Sequence, residues 1–201
     1  MSAGELIPTT GLKQCIWKLE QRQTKQYSRN GSSQVIKLGE AFWVLRFEFE
    51  NMTDANFRAL TAFLSRRKGA IVSFSAYRPD RIKALLHSDG NAPSALTVSG
   101  DEVTVTMNNS EAFSPGDMIS YAAGAGGRYV GEVLSITSHV TNTTVAVVEP
   151  APVAAHATHD AQTEAAWGLF TLEPDSIMLS EPFDITKRAT FTARQVEPQS
   201  A

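Results

Sequence analysis

The sequence predicts a mainly β fold (α+β): a β-sandwich-like outer domain with one helix, and an inserted small β-barrel or sandwich domain. Three observations indicate this class. Apolar residues alternate with polar ones in several segments, which is the period of a half-buried strand. One segment in the first third of the chain has helical spacing instead. Short strand-like segments, each bounded by Gly, Pro, Asn or Asp, follow one another through the middle of the chain, as in small all-β domains.

The segment that follows Ala41 predicts a strand with one buried face. One set of alternating residues is wholly apolar: Trp43, Leu45, Phe47 and Phe49. Because successive strand residues point to opposite faces, this set is expected in the core. The other face carries Phe42 beside Arg46 and Glu48. An aromatic residue next to charges on an outer face indicates a subunit contact, so we expect these three residues in an oligomer or partner interface.

A helix is predicted from Thr53 to Lys68. Thr53 is the expected N-cap, and Asp54 adds negative charge where the helix dipole favours it. An apolar stripe at helical spacing is expected to pack against the apolar face of the strand. It comprises Phe57, Leu60, Phe63 and Leu64.

The carboxyl end of this helix is basic. Arg66, Arg67 and Lys68 occupy the last turn, and Gly69 is expected to provide the left-handed conformation that ends the helix. The helix dipole explains this cluster better than phosphate binding does. We expect Arg66 and Arg67 on the exposed end, where they join the candidates for a partner contact.

The amino-terminal part predicts two strands, Gln14–Glu20 and Gln34–Leu38. The segment 21–33 between them is polar and is either a loop or the tip of a long hairpin with Asn30-Gly31 as its turn. It has no residues that would build a core, so it is either mobile or ordered by a neighbour. Cys15 is the single cysteine, which excludes an internal disulfide and predicts a buried, unreactive thiol.

The composition changes in the middle of the chain, which is richer in Gly, Ala, Ser, Thr and Val. Five strand-like segments are predicted there: 94–100, 102–108, 117–124, 128–138 and 143–150. Residues 114–117 predict a turn because proline presets φ and glycine supplies the open conformation. Residues 150–166 are small and polar, as in a linker.

After this linker, aromatic and apolar residues again alternate with polar ones, as in the first third of the chain. Trp167, Leu169 and Thr171 share one strand face, and a long amphipathic strand follows from Ile185 to Val196. The chain therefore divides into a discontinuous β-rich domain, 1–82 and 164–201, which contains the helix 53–68. Residues 83–163 form the predicted inserted β-domain.

Charge and motifs exclude several classes of function. The net charge is −3, with 18 basic and 21 acidic residues, which argues against a nucleic-acid protein. The sequence has no apolar segment of the ~20 residues that a membrane helix needs, so we expect no membrane anchor. The first residues lack the pattern of a signal peptide. His156, His159 and Asp160 are the best candidate for a metal site, but they lack a fourth ligand.

We therefore expect no metal and no cofactor. No G-x-S-x-G motif and no recognised triad spacing is present, and Gly124–Gly127 lacks the lysine of a phosphate loop. A glycosidase or peptidase has no motif to support it. The sequence predicts that the protein is not an enzyme and has no catalytic residues.

The order of the motifs resembles the distal tail protein family of long-tailed (siphovirus-like) bacteriophages and prophages. An F-x-F strand at Phe47 leads into T-x-A-x-x-x-x-L-x-x-F-L from Thr53 and K-G-x-x-x-x-F from Lys68. Then come P-G-D-x-I from Pro115, R-x-x-x-x-V from Arg128 to Val133 and a strand ending in proline. G-x-F-x-L from Gly168 and a last strand from Phe191 to Glu197 complete the set, so that the resemblance covers 34–197.

This resemblance implies a structural virion component that forms a ring between the tail tube and the tail tip or baseplate. The implied partners are copies of the chain itself in a cyclic homo-oligomer, typically a hexamer, together with the tail tube protein and tail-tip hub proteins. No nucleic acid is implied. The implied location is the virion tail, after synthesis in the host cytoplasm.

An alternative function is a carbohydrate- or receptor-binding module of a tail tip. Small β-barrels and sandwiches often bind sugars through an exposed aromatic platform. The inserted segment offers only three aromatic residues for such a platform, which argues against a dedicated lectin role: Phe113, Tyr121 and Tyr129.

Overall fold

A computed structural model describes the residues in the following ranges: 5–39, 41–68, 71–81, 95–99, 102–106, 113–122, 128–151, 161–162, 166–180 and 186–196. Within them the fold is mostly β, with one helix and curled sheets, which confirms the predicted class. The helix is α1 (Asp54–Arg66). The strands are β1 (Leu12–Glu20), β2 (Gln23–Tyr27), β3 (Ser33–Lys37), β4 (Phe42–Met52), β5 (Phe74–Tyr77), β6 (Ala95–Ser99), β7 (Glu102–Thr106), β8 (Met118–Ala122), β9 (Arg128–Val140), β10 (Thr143–Glu149), β11 (Ala161–Gln162), β12 (Trp167–Leu172), β13 (Met178–Ser180) and β14 (Lys187–Gln195).

The first sheet has the order β1-β4-β14-β12-β5, and β13 pairs with β14 beside β12. All of these strand pairs are antiparallel. Residues 5–7 add to the outer side of β5, where Leu6 forms a parallel bridge with Ser75. The sheet therefore joins strands from both ends of the chain, with the last strand, β14, at its centre.

The apolar face of β4 is buried as its alternation predicts. Trp43, Leu45, Phe47 and Phe49 belong to one cluster of buried side chains, the first core. Phe191 of β14 stacks on both phenylalanines of this set, with ring centroids 5.0 and 5.9 Å apart. Aromatic rings therefore pack against one another across the centre of the sheet.

Helix α1 covers part of this face. The Thr53 hydroxyl accepts a hydrogen bond from the backbone N–H of Asn56 at 3.3 Å, which confirms the predicted N-cap. The predicted stripe is buried and joins the first core: Phe57, Leu60, Phe63 and Leu64. The helical residues that the structure describes include no apolar segment long enough to cross a bilayer.

The end of the helix differs from the prediction. Lys68 itself adopts the left-handed conformation, with φ of 48°. Gly69, which was expected in that position, lies outside the described residues. The backbone N–H of Lys68 donates to the Ser65 carbonyl at 3.2 Å, so the last helical turn is closed before the chain leaves.

The second sheet has the order β11-β8-β9-β10-β7-β6 and is antiparallel throughout. All five strands predicted in the middle of the chain are present as β6 to β10. The sheet curls around a second core of smaller side chains. Its buried members are Val103, Val105, Phe113, Ile119, Tyr121, Tyr129, Val133, Ala146 and Val148.

Part of the predicted linker is a strand. Residues 161–162 form β11, which pairs with Ser120 and Tyr121 of β8. Most of the remaining linker, Gly124–Gly127 and the predicted insertion boundaries near Ile82 and Glu164 lie outside the described residues. The division into two domains stays a prediction.

The two sheets touch through buried contacts. Met118 of β8 and Val130 of β9 belong to the first core. The buried side chain of Gln195 donates to the Val130 carbonyl at 3.0 Å and accepts from the Trp43 N–H at 3.2 Å. Arg81, which follows β5, forms an ion pair with Glu132 of β9 at 2.6 Å. The apolar face of the first sheet is therefore covered by α1 on one part and by the second sheet on another.

The segment between β1 and β4 is a hairpin, the second of the two alternatives. β2 and β3 pair only with each other and form a separate two-stranded sheet. Gly31 has φ of +84° in the turn, in the left-handed region that glycine adopts without strain. The Leu38 N–H donates to the Arg22 carbonyl at 2.7 Å and closes the base. We refer to residues 22–38 as the arm.

Candidate functional site

The outer face of the first sheet contains three of the five predicted contact residues. Phe42, Arg46 and Glu48 lie on the same face of β4, opposite the side that α1 covers. Arg46 is exposed and forms an ion pair with Glu48 at 3.2 Å. Ile16 of β1, which is opposite Arg46, is also exposed. This face therefore presents charged and apolar groups to solvent.

Phe42 is not presented to solvent, although the sequence places it on this outer face. Its side chain is 3% exposed. The guanidinium groups of Arg194 and Arg22 lie over its ring, at 4.6 and 5.7 Å from the centroid. In such a cation–π contact the arginines cover the apolar ring, and the ring attracts their positive charge. A partner protein that binds at this position would contact the guanidinium groups of Arg22 and Arg194. Phe42 would support such a contact only by holding these two arginines in place.

The expectation that Arg67 is exposed is wrong, since its side chain is buried at 5% exposure. Its guanidinium lies 4.4 Å over the Phe63 ring and donates to the Ser73 carbonyl at 3.0 Å. It also forms an ion pair with Glu5. The reason is positional: Arg67 follows Phe63 by four residues, so it continues the buried stripe of the helix.

Arg66 is exposed as predicted. Its guanidinium lies 3.0 Å from the carboxylate of Glu5, which also pairs with Arg67. Both arginines belong to the helix side of the first sheet, whereas Arg46 and Glu48 lie on the opposite face. The structure therefore separates the five predicted residues into two groups. Their role in subunit contacts stays a prediction.

Two surfaces expose apolar side chains that the sequence analysis did not single out. The first is the arm, where Tyr27, Val35 and Leu38 are exposed. The second is β13 with the residue before it, where Ile177, Met178 and Leu179 are exposed. A signal for the second existed in the sequence, because Ile-Met-Leu between two prolines is too short to build a core of its own.

Ion pairs with lysines stabilise the charged form of two surface carboxylates near the first sheet. The hydrogen bond from Lys187 holds the pKa of Asp54 below its usual value. The hydrogen bond from Lys13 does the same for the pKa of Glu50. Both carboxylates are charged at neutral pH, and each is paired with a lysine.

Cys15 is partly buried against the first core. Removal of its sulfur from water raises the pKa of the Cys15 thiol to about 12. At neutral pH the group is therefore a neutral thiol, which is a poor nucleophile. No cluster of three His, Cys, Asp or Glu residues that would hold a metal ion occurs in the described ranges. His156, His159 and Asp160 lie outside those ranges.

The three aromatic residues considered for a sugar-binding platform are buried: Phe113, Tyr121 and Tyr129. The Tyr121 hydroxyl donates to the Pro150 carbonyl at 3.2 Å, and burial raises the pKa of Tyr121 well above its usual value. The Tyr129 hydroxyl donates to the Ala41 carbonyl at 3.3 Å. These rings pack the second core and its contact with the first sheet, so they do not form an exposed platform.

No protein-family model matches the chain, and no curated protein matches it either.

Proposed function

We propose that this chain is a structural component of a phage virion: a distal tail protein whose copies form a ring that connects the tail tube to the tail tip or baseplate. The resemblance of the ordered motifs over 34–197 supports this function. It also supports a hexamer and contacts with the tail tube protein and tail-tip hub proteins.

The observation that carries the proposal is the arm. A two-stranded hairpin is marginally stable in water when it stands alone. The arm pairs with no other strand that the structure describes, and it exposes the apolar side chains of Tyr27, Val35 and Leu38. Such a segment is stabilised when a neighbouring molecule covers it. A protein of an assembly has that neighbour permanently.

The face behind the first sheet supports the same proposal. It is a broad antiparallel surface on which Arg46 and Ile16 are exposed next to one another. Antiparallel sheets with one uncovered face are common in soluble domains, so this face alone identifies no partner. Together with an uncovered arm, it gives the chain two separate surfaces for neighbours, as a ring requires.

The test is the mass of the purified protein in solution, followed by electron microscopy of the protein and of phage particles. We expect a closed multimer in solution and a ring of identical copies at the end of the tail tube. A particle reconstruction that contains the chain only as a single peripheral copy contradicts the proposal. A virion that lacks the chain contradicts it as well.

A further inference from the structure

We propose that residues 5–7, which we call the strap, are exchanged between neighbouring copies in the assembly. The strap of one copy then pairs with β5 of the next copy, in place of that copy's own strap. This inference rests on the proposed self-assembly and names a contact that joins the copies. The partner at β5 is therefore a second copy of this chain.

The strap closes the edge of β5 that β12 leaves open. The Ile7 N–H donates to the Ser75 carbonyl at 3.1 Å, and the Ser75 N–H donates to the Glu5 carbonyl at 3.1 Å. These two hydrogen bonds use both backbone groups of Ser75. A strand edge with free N–H and C=O groups is a template for another chain, so β5 offers such a template whenever the strap leaves.

The side chains of the strap fill a site with a defined chemistry. Ile7 is buried in the first core at 4% exposure. Glu5, which shares a face with Ile7 in an extended segment, pairs with Arg66 at 3.0 Å and with the buried Arg67. A buried guanidinium is costly without an acid, so the site selects a carboxylate. The site beside β5 therefore binds an extended segment with an acidic residue two positions before an aliphatic one, and a second copy has that segment by identity.

Few residues hold the strap in place. Two hydrogen bonds to Ser75, the burial of Ile7 and the ion pairs of Glu5 attach it to the rest of the chain. Segments with so small a contact area open at a fraction of the free energy of global unfolding. The strap is therefore expected to leave β5 while the rest of the first core stays folded.

The connection to β1 sets where the neighbouring copy must lie. β1 and β5 are at opposite ends of the strand order of the first sheet, and residues 8–11 join the strap to β1. From Ile7 to Leu12 the chain reaches at most about 18 Å. In an exchanged pair, the β1 edge of one copy therefore lies within that distance of the β5 edge of the next. Because this contact uses two different edges, it is heterologous and generates a ring when the rotation between copies closes.

Within one copy, a turn returns the strap to its own β5. The Leu12 N–H donates to the Thr9 carbonyl at 3.0 Å, and Gly11 has φ of +82°. Glycine adopts extended conformations as readily as this one, so the turn opens without strain. Gly11 is therefore the hinge about which the strap moves to a neighbour.

Exchange conserves the contacts of the strap, because the second copy provides the same residues. The effective concentration is what changes. A copy's own strap is tethered by residues 8–11, and the strap of another copy competes with it only when that copy is held nearby. A ring holds every copy next to its neighbour. Exchange is therefore expected in the assembled state, and pairing within one chain is expected in the dilute monomer.

Disulfide trapping tests the exchange. Leu6 is 49% exposed and is opposite Ser75 in the parallel bridge, so Leu6→Cys and Ser75→Cys form a pair across the contact. Cys15 is replaced by serine in every variant. At the concentration at which the parent assembles, oxidation of a mixture of the two single variants is expected to give a disulfide dimer. Neither variant alone is expected to give one.

The double variant Leu6→Cys/Ser75→Cys checks the geometry in the same experiment. When dilute, it is expected to form the disulfide within one chain, and absence of that bond would overturn the inference because the strap would not lie beside Ser75. When assembled, it is expected to give a ladder of multiples up to the size of the ring. Bonds within one chain at both concentrations, with no dimer from the mixture, would overturn the inference while the proposed function stands. If the parent forms no multimer and no ring in particles, the proposed function itself fails.

Ile71→Cys is the matched control, because Ile71 is 81% exposed and lies outside both the strap and β5. Mixed with Leu6→Cys, it is expected to give no dimer, and a dimer of equal yield would overturn the inference. Glu5→Gln on the Leu6→Cys chain is expected to lower the yield of dimer with Ser75→Cys at least threefold, because Arg67 then lacks its carboxylate. An unchanged yield would show that the site does not select an acidic residue.

Photocrosslinking replaces the cysteine pair if thermal melting shows that Ser75→Cys is unfolded. A chain with benzoylphenylalanine at position 6 is mixed with isotope-labelled parent, so that mass spectrometry distinguishes crosslinks between copies from those within one copy. We expect crosslinks between copies that join position 6 to β5. Crosslinks confined to single chains in the assembled protein would overturn the inference.

Discussion

The first sheet and the arm are adjacent in the chain but opposite in their burial. β1 ends at Glu20 and β2 begins at Gln23, so only two residues separate them. The first sheet covers its apolar face with α1 and with the second sheet. In the arm, every residue of β2 and β3 is exposed except Thr24 and Ile36, which are partly buried. One chain thus contains a segment that is stable by its own packing and a segment whose apolar side chains still lack a cover.

This difference indicates that separate parts of the molecule determine the stability of the monomer and its assembly. Substitutions in the first core are expected to change the stability of the monomer, because they remove contacts that already exist. Substitutions in the arm are expected to change assembly alone. Four substitutions test this separation, from the largest expected change in the free energy of unfolding to the smallest.

Leu60→Ala is expected to have the largest effect. Leu60 is fully buried in the first core, and truncation of a buried leucine costs about 2–5 kcal/mol. Urea unfolding measures the change, and soluble yield and tail assembly should fall with it. Arg58→Ala, on the exposed side of the same helix, is the control and should unfold like the parent. If Leu60→Ala also unfolds like the parent, the helical stripe is not part of the core.

Arg67→Ala is expected to cost about 2–3 kcal/mol, because it leaves the Ser73 carbonyl without its charged donor and removes a buried contact with Phe63. Thermal melting and urea unfolding measure it. Arg66→Ala removes an exposed pair with the same Glu5 and should cost less than about 0.5 kcal/mol. Equal effects of the two substitutions would show that Arg67 is not buried in solution.

Gly168→Ala tests the contact between the two sheets. A Cβ at this position would lie 2.8 Å from Cγ1 of Val130, so the Val130 side chain of β9 must shift. Overpacking of this kind costs about 1–3 kcal/mol. Gly39→Ala is the control, since a Cβ there meets no atom within 4 Å. Unchanged melting of Gly168→Ala would mean that the two sheets do not pack closely at this point.

Val35→Ser on the arm is expected to have the smallest effect, within about 0.5 kcal/mol, because Val35 is already exposed. Val105→Ser in the second core is the contrasting substitution and should cost about 2 kcal/mol or more, since Val105 is buried. Urea unfolding of both variants measures the contrast. A large loss of stability in Val35→Ser would show that the arm packs on its own chain.

Much of the fold was predictable because local patterns decided it. The alternation around Phe47, the stripe around Leu60 and the turn-bounded strands of the second sheet all have a period that specifies one buried face. The position of Arg67 was also within reach, since it lies four residues after Phe63. A charged residue is normally expected to be exposed, so its burial was not predicted. Burial of an arginine depends on partners such as Glu5 that are distant in the sequence.

The candidate surfaces were harder to predict for the same reason. Phe42 is covered by Arg22 and Arg194, and the second of these comes from a strand about 150 residues later in the sequence. The exposure of the arm depends on its failure to pair with β1 or β4, which no local pattern shows. Which edge of a strand remains unpaired is a property of the whole sheet.

The central place of β14 has a consequence for synthesis of the chain. β4 is complete once Met52 has left the ribosome, but the strand that pairs with its second edge begins only at Lys187. All described strands of the second sheet, from Ala95 to Gln162, are made in the interval. During translation, all of these strands of the second sheet are therefore made while one edge of β4 still lacks its partner strand. A nascent chain that stalls in this interval has an apolar, open-edged sheet, so truncated products are expected to aggregate with one another.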